Sequence, residues 1–334
     1  MHFLYNLAIG LYYFLINIFS FFNLKAKKWV NGRAKQTIPN LKNKKVVWMH
    51  CSSLGEYEQG KPLLDKLKEE FNNYTFVLTF FSPSGFERIK SKNDADYILY
   101  LPIDLPSKSK EFINKINPSL AIFVKYDFWY NYLKVLNNKK INTIFISVIL
   151  ENKHRLFNPA NRFLTNELKK VTKIFTQDIQ TFDLLNKHGF SNIEIAGDTR
   201  IERAIEISKS KFTDQVIETY TQGNKKIFIA GSTWKKDIDL ISKSKNQILK
   251  NHKIIIAPHE ISKNQINYIT EKFHDNTISL YSENDKNLIK SEILILDTIG
   301  ILSKIYRFAH LVYIGGGFGT GIHNTLEPSA YLVP

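Results

Sequence analysis

The residues of this sequence that could do chemistry lie in a few short segments rich in glycine, hydroxyl and acidic side chains. Near the C-terminus five glycines fall within residues 315–321, ahead of Asn324 and, three positions later, Glu327. A glycine-rich loop followed by this capping pattern predicts a helix start whose backbone N–H groups can bind an anion. Glu327 could also accept hydrogen bonds from ribose hydroxyls. A strand-to-helix turn that binds nothing gives the same pattern, so the other segments must decide between a binding site and a purely structural turn.

Glu56 is the first carboxylate of the chain and ends the segment 48–56, which runs from the first predicted strand into a loop and onto a helix. We expect it at a helix N-terminus on the carboxyl edge of a sheet, where open α/β sheets bind their ligands. A carboxylate there could act as a general base that deprotonates a hydroxyl nucleophile. The alternative is a charge that only complements the helix dipole.

Further turns with suitable side chains follow other predicted strands. Ser232 and Thr233 form a small hydroxyl-bearing turn suited to a phosphate, and Arg200 could reach a phosphate across an interdomain cleft. Two more turns stand at strand ends: one contains Pro258 and His259, and the other is the segment 297–300. Four such turns on one sheet edge predict a nucleotide site. The sequence shows no cluster with metal-ligand spacing and no Ser-His-Asp arrangement.

The elements that must position these residues follow from the alternation of short apolar runs with longer amphipathic ones. This alternation predicts α/β architecture with parallel sheets and helices on both faces. We predict strands over residues 46–50, 75–80, 97–101, 119–124, 143–147, 173–176, 193–196, 227–230, 253–257, 292–296 and 311–314.

Two Rossmann-like domains facing across a cleft account for this pattern. We predict an N-terminal domain over residues 25–200, a polar connection over 201–224 and a C-terminal domain over 225–334. A doubly wound domain normally continues beyond the helix opened by Asn324, so we expect the C-terminal domain to be truncated.

The first 24 residues are predicted to form a hydrophobic helix that contacts a membrane. Twenty residues of helix, here 3–22, rise about 30 Å, enough to cross a hydrocarbon core. Eight basic residues follow between 25 and 45 with no acidic residue before Glu56, which favours a cytoplasmic globular part. The helix either spans the membrane as a signal anchor or lies in the interface, since Asn6 and Asn17 interrupt it. A signal peptide is disfavoured because its basic residues would precede the apolar run.

The composition and charge of the chain indicate which kinds of partner it can bind. The net charge is +15, hydrophobic residues make up 43% of 334 positions, and the single Cys51 excludes an internal disulfide. No nucleic-acid-binding signature is present, so we expect no nucleic-acid partner. Basic residues beside an apolar helix instead suit an anionic membrane surface.

Together these segments resemble the bacterial Kdo transferase family (3-deoxy-D-manno-octulosonic acid transferases of lipid A assembly). The carriers are the segments 48–56, 102–106 with Asp104, Phe128-Trp129, 231–233, 297–302 and 315–328. The resemblance implies a GT-B fold and inverting transfer of Kdo from the donor CMP-Kdo to a lipid A precursor. It also implies a location on the cytoplasmic face of the inner membrane and no cofactor beyond the donor substrate.

The resemblance also implies roles for individual residues. Glu56 takes the place of the general base, and Arg200 that of a basic residue that stabilises the departing phosphate. The positions that surround CMP in the family correspond here to Pro258, His259, Ile299, Gly300, Ile301, Asn324, Thr325, Leu326 and Glu327.

This sequence departs from the family pattern at three places. Lys125 stands where a glutamate is common, and Asp127, two residues later, could take over part of that role. The usual Pro-Arg-His is Pro258-His259, and Ile301 stands where a glutamate is frequent. Two alternatives therefore stay open: another membrane-associated GT-B glycosyltransferase with a different nucleotide sugar, and a membrane-tethered binding protein without turnover.

Overall fold

The computed structural model describes residues 1–283, 287–319 and 321–334, and the chain divides into two compact units, Met1–Thr199 and Arg200–Pro334. Each unit is built on one parallel β-sheet with helices between successive strands. Thr320, within the predicted glycine-rich segment, lies outside the described residues.

The first unit contains a seven-stranded parallel sheet in the order β3-β2-β1-β4-β5-β6-β7. Its strands are β1 (Val46–Cys51), β2 (Thr75–Phe80), β3 (Tyr97–Tyr100), β4 (Leu120–Val124), β5 (Asn142–Val148), β6 (Lys173–Thr176) and β7 (Ile193–Ile195). Its helices are α1 (His2–Phe19), α2 (Leu24–Lys35), α3 (Leu54–Glu70), α4 (Pro83–Ile89), α5 (Pro106–Ile116), α6 (Tyr130–Asn138), α7 (Arg162–Leu168) and α8 (Ile179–Lys187).

Two hydrophobic cores cover the two faces of this sheet, because alternate residues of each strand point to opposite sides. Trp48 and Phe123 belong to one core, while Met49 and Ile122 belong to the other. All four are fully buried, so β1 and β4 read as continuous apolar runs in the sequence. The sheet is therefore fixed by residues that also bring the ends of β1 and β4 side by side.

The second unit contains a five-stranded parallel sheet in the order β10-β11-β9-β8-β12. Its strands are β8 (Lys226–Thr233), β9 (His252–Pro258), β10 (Ile278–Leu280), β11 (Ile293–Ile295) and β12 (Leu311–Ile314). Its helices are α9 (Thr199–Lys209), which begins one residue before the unit, α10 (Gln215–Thr221), α11 (Lys235–Leu249), α12 (Lys263–Lys272), α13 (Leu302–Ile305) and α14 (Leu326–Ser329).

The predicted fold class is confirmed: two α/β units with parallel sheets and an apolar N-terminal helix. All eleven predicted strands are present with small differences at their ends, and the short edge strand β10 was missed. The predicted connection, 201–224, holds most of α9 and all of α10, and Ile217 and Tyr220 are fully buried in a core of the second unit. Its polar residues are the solvent-facing side of those helices.

Asp104 attaches the N-terminal helix to the first unit. This buried carboxylate accepts hydrogen bonds from Tyr5 Oη of α1 (2.6 Å) and from the backbone N–H groups of Asn131 (3.2 Å) and Tyr132 (3.1 Å). Asn131 Nδ2 also donates to Asn6 Oδ1 (2.8 Å). One residue thus binds both α1 and the first turn of α6.

Burial raises the pKa of Asp104 to about 6, above the ordinary 3.8, although its hydrogen bonds oppose the shift. The folded state therefore holds this proton more tightly than the unfolded chain. As pH rises from about 4 to about 6 the contribution of Asp104 to the free energy of unfolding should fall, by up to ~3 kcal/mol.

We expect the stability difference between wild type and Asp104→Asn to be larger at pH 4.5 than at pH 7, measured by thermal unfolding. Asp183→Asn, at an exposed position of α8, is the control; a difference that does not change with pH would contradict this assignment.

Candidate functional site

The order of strands reverses at the first strand of each sheet, and several of the candidate residues gather at these two points. In the first sheet β1 has β2 on one side and β4 on the other, and in the second β8 lies between β9 and β12. Loops leaving two such neighbours diverge to opposite faces and open a crevice at the carboxyl ends of the strands, where α/β proteins bind ligands.

Glu56 lies at the first of these points, in the first turn of α3 directly after β1. Its carboxylate is hydrogen-bonded by the Ser53 hydroxyl and lies 4.0 Å from Lys125 Nζ, which follows β4. The Glu56 side chain is 17% exposed. The predicted base is therefore held in place by a hydroxyl and an ammonium group yet still reaches solvent.

Lys125 has a left-handed backbone, with φ of 64°. This conformation is costly for a residue with a Cβ atom and tends to occur where function constrains the chain. Here the backbone N–H of Lys125 continues the sheet by donating to Ile146 O (2.8 Å) while the side chain pairs with Glu56. Lys125, which stands where the family commonly has a glutamate, thus places a positive charge beside the predicted base.

Asp127 is held by a buried polar network that the sequence did not reveal. Ser52 Oγ donates to Asp127 Oδ2, and His50 Nε2 lies 3.5 Å from the same oxygen. His50, fully buried, is bonded to Thr79 Oγ1 through Nδ1 (2.9 Å) and accepts from Trp129 Nε1 through Nε2 (3.2 Å).

The indole of Trp129 determines the tautomer of His50. Because Trp129 Nε1–H can only donate, His50 Nε2 must be the acceptor, and the proton of a neutral ring lies on Nδ1 and points to Thr79. Thr79 Oγ1 also accepts from Trp48 Nε1 (2.9 Å). The only sequence signal for this chain of bonds was the presence of His50 and Thr79 in otherwise apolar strands.

In the second unit the glycine-rich loop packs against the turn after β8. Gly315 N donates to Gly231 O (2.9 Å), and a Cβ atom on Gly315 would lie 2.4 Å from Ser232 O. Ser232 has a left-handed backbone with φ of 53°, whereas Thr233 is buried. Glycine is required at 315 because two chain segments touch there.

Asp237 joins the same elements. This carboxylate, 1% exposed, accepts from the backbone N–H groups of Trp234 (2.8 Å) and Gly316 (3.1 Å) and from Tyr313 Oη (2.6 Å). It therefore caps α11 and fixes the start of the glycine-rich loop together. The sequence shows an acidic residue in the first turn of a helix. No sequence pattern indicates its hydrogen bond to Gly316.

A stack of three planar rings stands beside this loop. His259 lies between Trp234 and His323, with ring centroids 4.5 and 4.4 Å away, and Trp234 Nε1 donates to His323 Nε2 (2.8 Å). Burial and the neighbouring His259 lower the pKa of His323. His259 was a predicted site residue, whereas Trp234 and His323 were not.

The remaining predicted residues lie on the same edge of the second sheet or near it. Pro258 ends β9, and the positive-φ Gly300 follows β11 between Ile299, 60% exposed, and Ile301. Arg200, half-buried, is the second residue of α9 and the first residue of the second unit.

Asn324 and Glu327 bond to each other, Asn324 Nδ2 donating to Glu327 Oε1 (3.1 Å). The Asn324 side chain also accepts from the backbone N–H of Leu326 (3.1 Å), and Thr325 is the N-cap of α14. α14 is only four residues long, so the predicted helix start is present in a short form.

No three His, Cys, Asp or Glu side chains lie close enough together to hold a metal ion in the part of the chain that the structure describes. The acidic residues named above are each hydrogen-bonded or ion-paired to neighbouring groups.

Comparison with protein families decides the affiliation. Residues 28–203, more than half of the chain, match the family model described as 3-deoxy-D-manno-octulosonic-acid transferase (kdotransferase). The chain belongs to this family. The resemblance inferred from the sequence is therefore confirmed.

Several proteins named as Kdo transferases are similar to this chain over most of its length. A 3-deoxy-D-manno-octulosonic acid transferase of Aquifex aeolicus is 26% identical over 306 residues, covering 90% of this chain and 77% of that protein. The corresponding protein of Chlamydia muridarum is 28% identical over 86% of this chain and 69% of its own. A bifunctional glycosyltransferase/methyltransferase of Fusobacterium nucleatum is 27% identical over 93% of this chain, which spans only 50% of that relative.

Solved structures support the fold alone. A UDP-GlcNAc 2-epimerase from Methanocaldococcus jannaschii superposes with a TM-score of 0.56 at 15% identity, covering 87% of this chain and 82% of that one. The UDP-GlcNAc 2-epimerase from Neisseria meningitidis gives 0.55 at 13% identity, over 80% and 76%. These matches are consistent with the GT-B class of paired α/β units.

Substitution of Gly315 by alanine tests the contact between the glycine-rich loop and the turn after β8. The new Cβ would lie 2.4 Å from Ser232 O and 2.8 Å from Asp237 Oδ2, so one segment must move. We expect a loss of ~1–3 kcal/mol, seen as a melting temperature lower by several degrees. Gly317→Ala is the matched control, because nothing lies within 4 Å of its Cβ. Equal melting temperatures for the two variants would show that this contact is not needed.

Proposed function

We propose that this Kdo transferase family member moves Kdo from CMP-Kdo to a hydroxyl of a lipid A precursor, with inversion at the anomeric carbon. The observation that carries the proposal is the placement of Glu56. In a chain of this family, a partly exposed carboxylate stands at the strand-order reversal of the first unit, held by Ser53 and Lys125.

In this reaction the acceptor hydroxyl attacks the anomeric carbon of Kdo while Glu56 takes the hydroxyl proton. The bond between that carbon and the CMP phosphate oxygen breaks, and the electron pair leaves with CMP. A single displacement inverts the configuration. Glu56 suits this role because its hydrogen-bond partners orient the carboxylate without removing it from solvent.

The second unit would bind CMP. Its strand-end turns supply backbone N–H groups and the hydroxyl of Ser232 for the phosphate. Thr233, which is buried and donates through Oγ1 to Ala257 O (3.4 Å), would hold this turn in place. Pro258, His259 and the segment 299–301 would surround the nucleotide, with 324–327 beside them. Arg200, in the same unit, would stabilise the charge that develops on the departing phosphate.

Asp127 and Lys125 are proposed to support Glu56 rather than to replace it. Asp127 is bonded to Ser52, which stands four residues before Glu56, and Lys125 pairs with Glu56 itself. We therefore assign Asp127 to the positioning of the loop that carries the base.

The substitution Glu56→Gln tests the proposed base. The amide keeps the size of the side chain but cannot take a proton, so transfer of Kdo should fall by at least ~100-fold. Binding of CMP should not change, because its proposed site lies in the other unit. The measurements are product formation on a tetraacylated lipid A precursor and calorimetric titration with CMP.

Glu58→Gln, exposed on the same helix, is the control and should keep wild-type activity. Wild-type turnover that survives in Glu56→Gln would exclude the proposed base. A wild-type protein that binds CMP but transfers no Kdo would favour the alternative of a binding protein without turnover.

We also propose that α1 lies in the interface of an anionic membrane, at the cytoplasmic face of the inner membrane. α1 is apolar and long enough to cross a bilayer. However, Tyr5 and Asn6 bond to the first unit, and Tyr12 and Tyr13 pack against Trp29 at the other end of the helix. A helix attached along its length to a globular unit is suited to lying on a membrane with its opposite side in the lipid.

The substitutions Leu7→Lys and Leu11→Lys, combined, test this placement. Both side chains are more than half exposed on the side of α1 opposite Tyr5 and Asn6. Two charges there should reduce binding to phosphatidylglycerol vesicles by at least ~10-fold in a co-sedimentation assay. Leu240→Lys, exposed in the second unit, is the control. Unchanged vesicle binding of the double variant would contradict the proposed orientation.

A further inference from the structure

We infer that a pocket of about 560 Å³ in the first unit holds the phosphorylated sugar headgroup of the glycolipid acceptor, with Arg155 as its phosphate ligand. This inference rests on the proposed function and names the acceptor side of its site. The pocket lies among α1, the segment that follows β4 and the short turns that follow β5. It is thus at the carboxyl ends of two neighbouring strands, beside the strand-order reversal.

Aromatic rings form much of the wall. Tyr5 and Tyr12 come from α1, Tyr126 and Trp129 follow β4, and Phe163 belongs to α7. Flat apolar faces with a few polar groups between them are typical of small-molecule sites and suit the faces of a sugar ring. Several of these rings are fixed by each other, for example Tyr5 against Phe163 at 5.8 Å, so the wall is formed before a ligand binds.

Arg155 supplies a positive charge at the exposed side of the pocket. Its side chain makes no ion pair with any carboxylate among the described residues. Its charge acts to lower the pKa of Tyr5 and of His154, so both side chains lie near it. A guanidinium with open donors matches the geometry of a phosphate, which it can bind through two parallel hydrogen bonds.

His154 adds a neutral donor next to Arg155. Burial and the charge of Arg155 lower the pKa of His154, which favours the uncharged ring. Its Nδ1 accepts from the backbone N–H of Leu156 (3.3 Å), which places the ring proton on Nε2. The positive charge of the pocket therefore comes from Arg155, and a single substitution can remove it.

The pocket includes one of the predicted catalytic residues. Asp127 lines it directly. Tyr126, also in the wall, has its pKa raised by burial and by the charges of Glu56 and Asp127, so these carboxylates lie close to it. A sugar hydroxyl beside Tyr126 and Asp127 would be near Glu56, the residue proposed to remove its proton.

The part of the pocket wall formed by α1 is largely apolar. Ala8 and Ile9 line it, and Leu4 and Leu11 of the same helix are more than half exposed. Acyl chains attached to a headgroup in the pocket could stay beside this apolar surface. A ligand with a phosphorylated sugar and acyl chains matches these three features of the pocket: the aromatic wall, Arg155 and the apolar helix.

The test is binding of the tetraacylated, phosphorylated lipid A precursor to the whole chain in detergent micelles without donor, followed by calorimetry. Arg155→Ala should weaken binding by ~10-fold or more, the loss typical of a charged hydrogen-bonded pair. Arg88→Ala, an exposed arginine of α4 outside the pocket, removes the same charge and should bind as wild type does. The same pair of variants is then compared with an enzymatically dephosphorylated precursor, for which Arg155→Ala should bind as wild type does.

Three outcomes would overturn the inference. Equal effects of Arg155→Ala and Arg88→Ala would reduce the role of Arg155 to general surface charge. A loss that is the same with the dephosphorylated precursor would exclude phosphate recognition. Binding of phosphatidylglycerol in place of the precursor, with the same dependence on Arg155, would assign the pocket to membrane lipid. Because none of these measurements uses CMP-Kdo, they remain decisive even if wild type fails to transfer Kdo.

Discussion

A parallel sheet places the carboxyl ends of all its strands on one edge, and in each sheet of this protein the strand order reverses at the first strand, β1 or β8. At the ends of β1 and β4 this brings Glu56 together with Lys125 and Asp127. At the ends of β8 and β12 it brings Ser232 together with the glycine-rich loop. Strand order, which is a property of the whole sheet, therefore decides which segments can form a site.

Each unit secures its loops with buried polar groups that could not be left unpaired. In the first unit His50 connects Thr79, on the neighbouring strand, to Trp129 and lies beside Asp127. In the second, Asp237 holds both the start of α11 and the backbone of Gly316. Because an unsatisfied buried polar group costs ~1–3 kcal/mol, these bonds restrict the loops to one arrangement. The candidate site residues are thereby preorganised before any ligand binds.

The N-terminal helix combines two properties that are usually separate. Its composition is that of a membrane-crossing segment, while Tyr5 and Asn6 bind it to buried polar residues of the first unit. As a result α1 forms one wall of the pocket that contains Arg155. In the proposed reaction the same helix would both hold the protein on lipid and shape the place where a lipid-linked sugar binds.

The sequence by itself determined all the described strands except β10, the parallel α/β class, the apolar helix and the family, because buried strands and glycine-rich turns leave local patterns. It also indicated Glu56 and the segment 315–327, since capping and loop signals are local as well. The tertiary structure alone decided that Lys125 pairs with Glu56, that His50 lies beside Asp127 and that His323 stacks on His259. It also placed Arg155 beside α1. These pairs join residues far apart in the chain, and their proximity depends on strand order and packing, which no local pattern records.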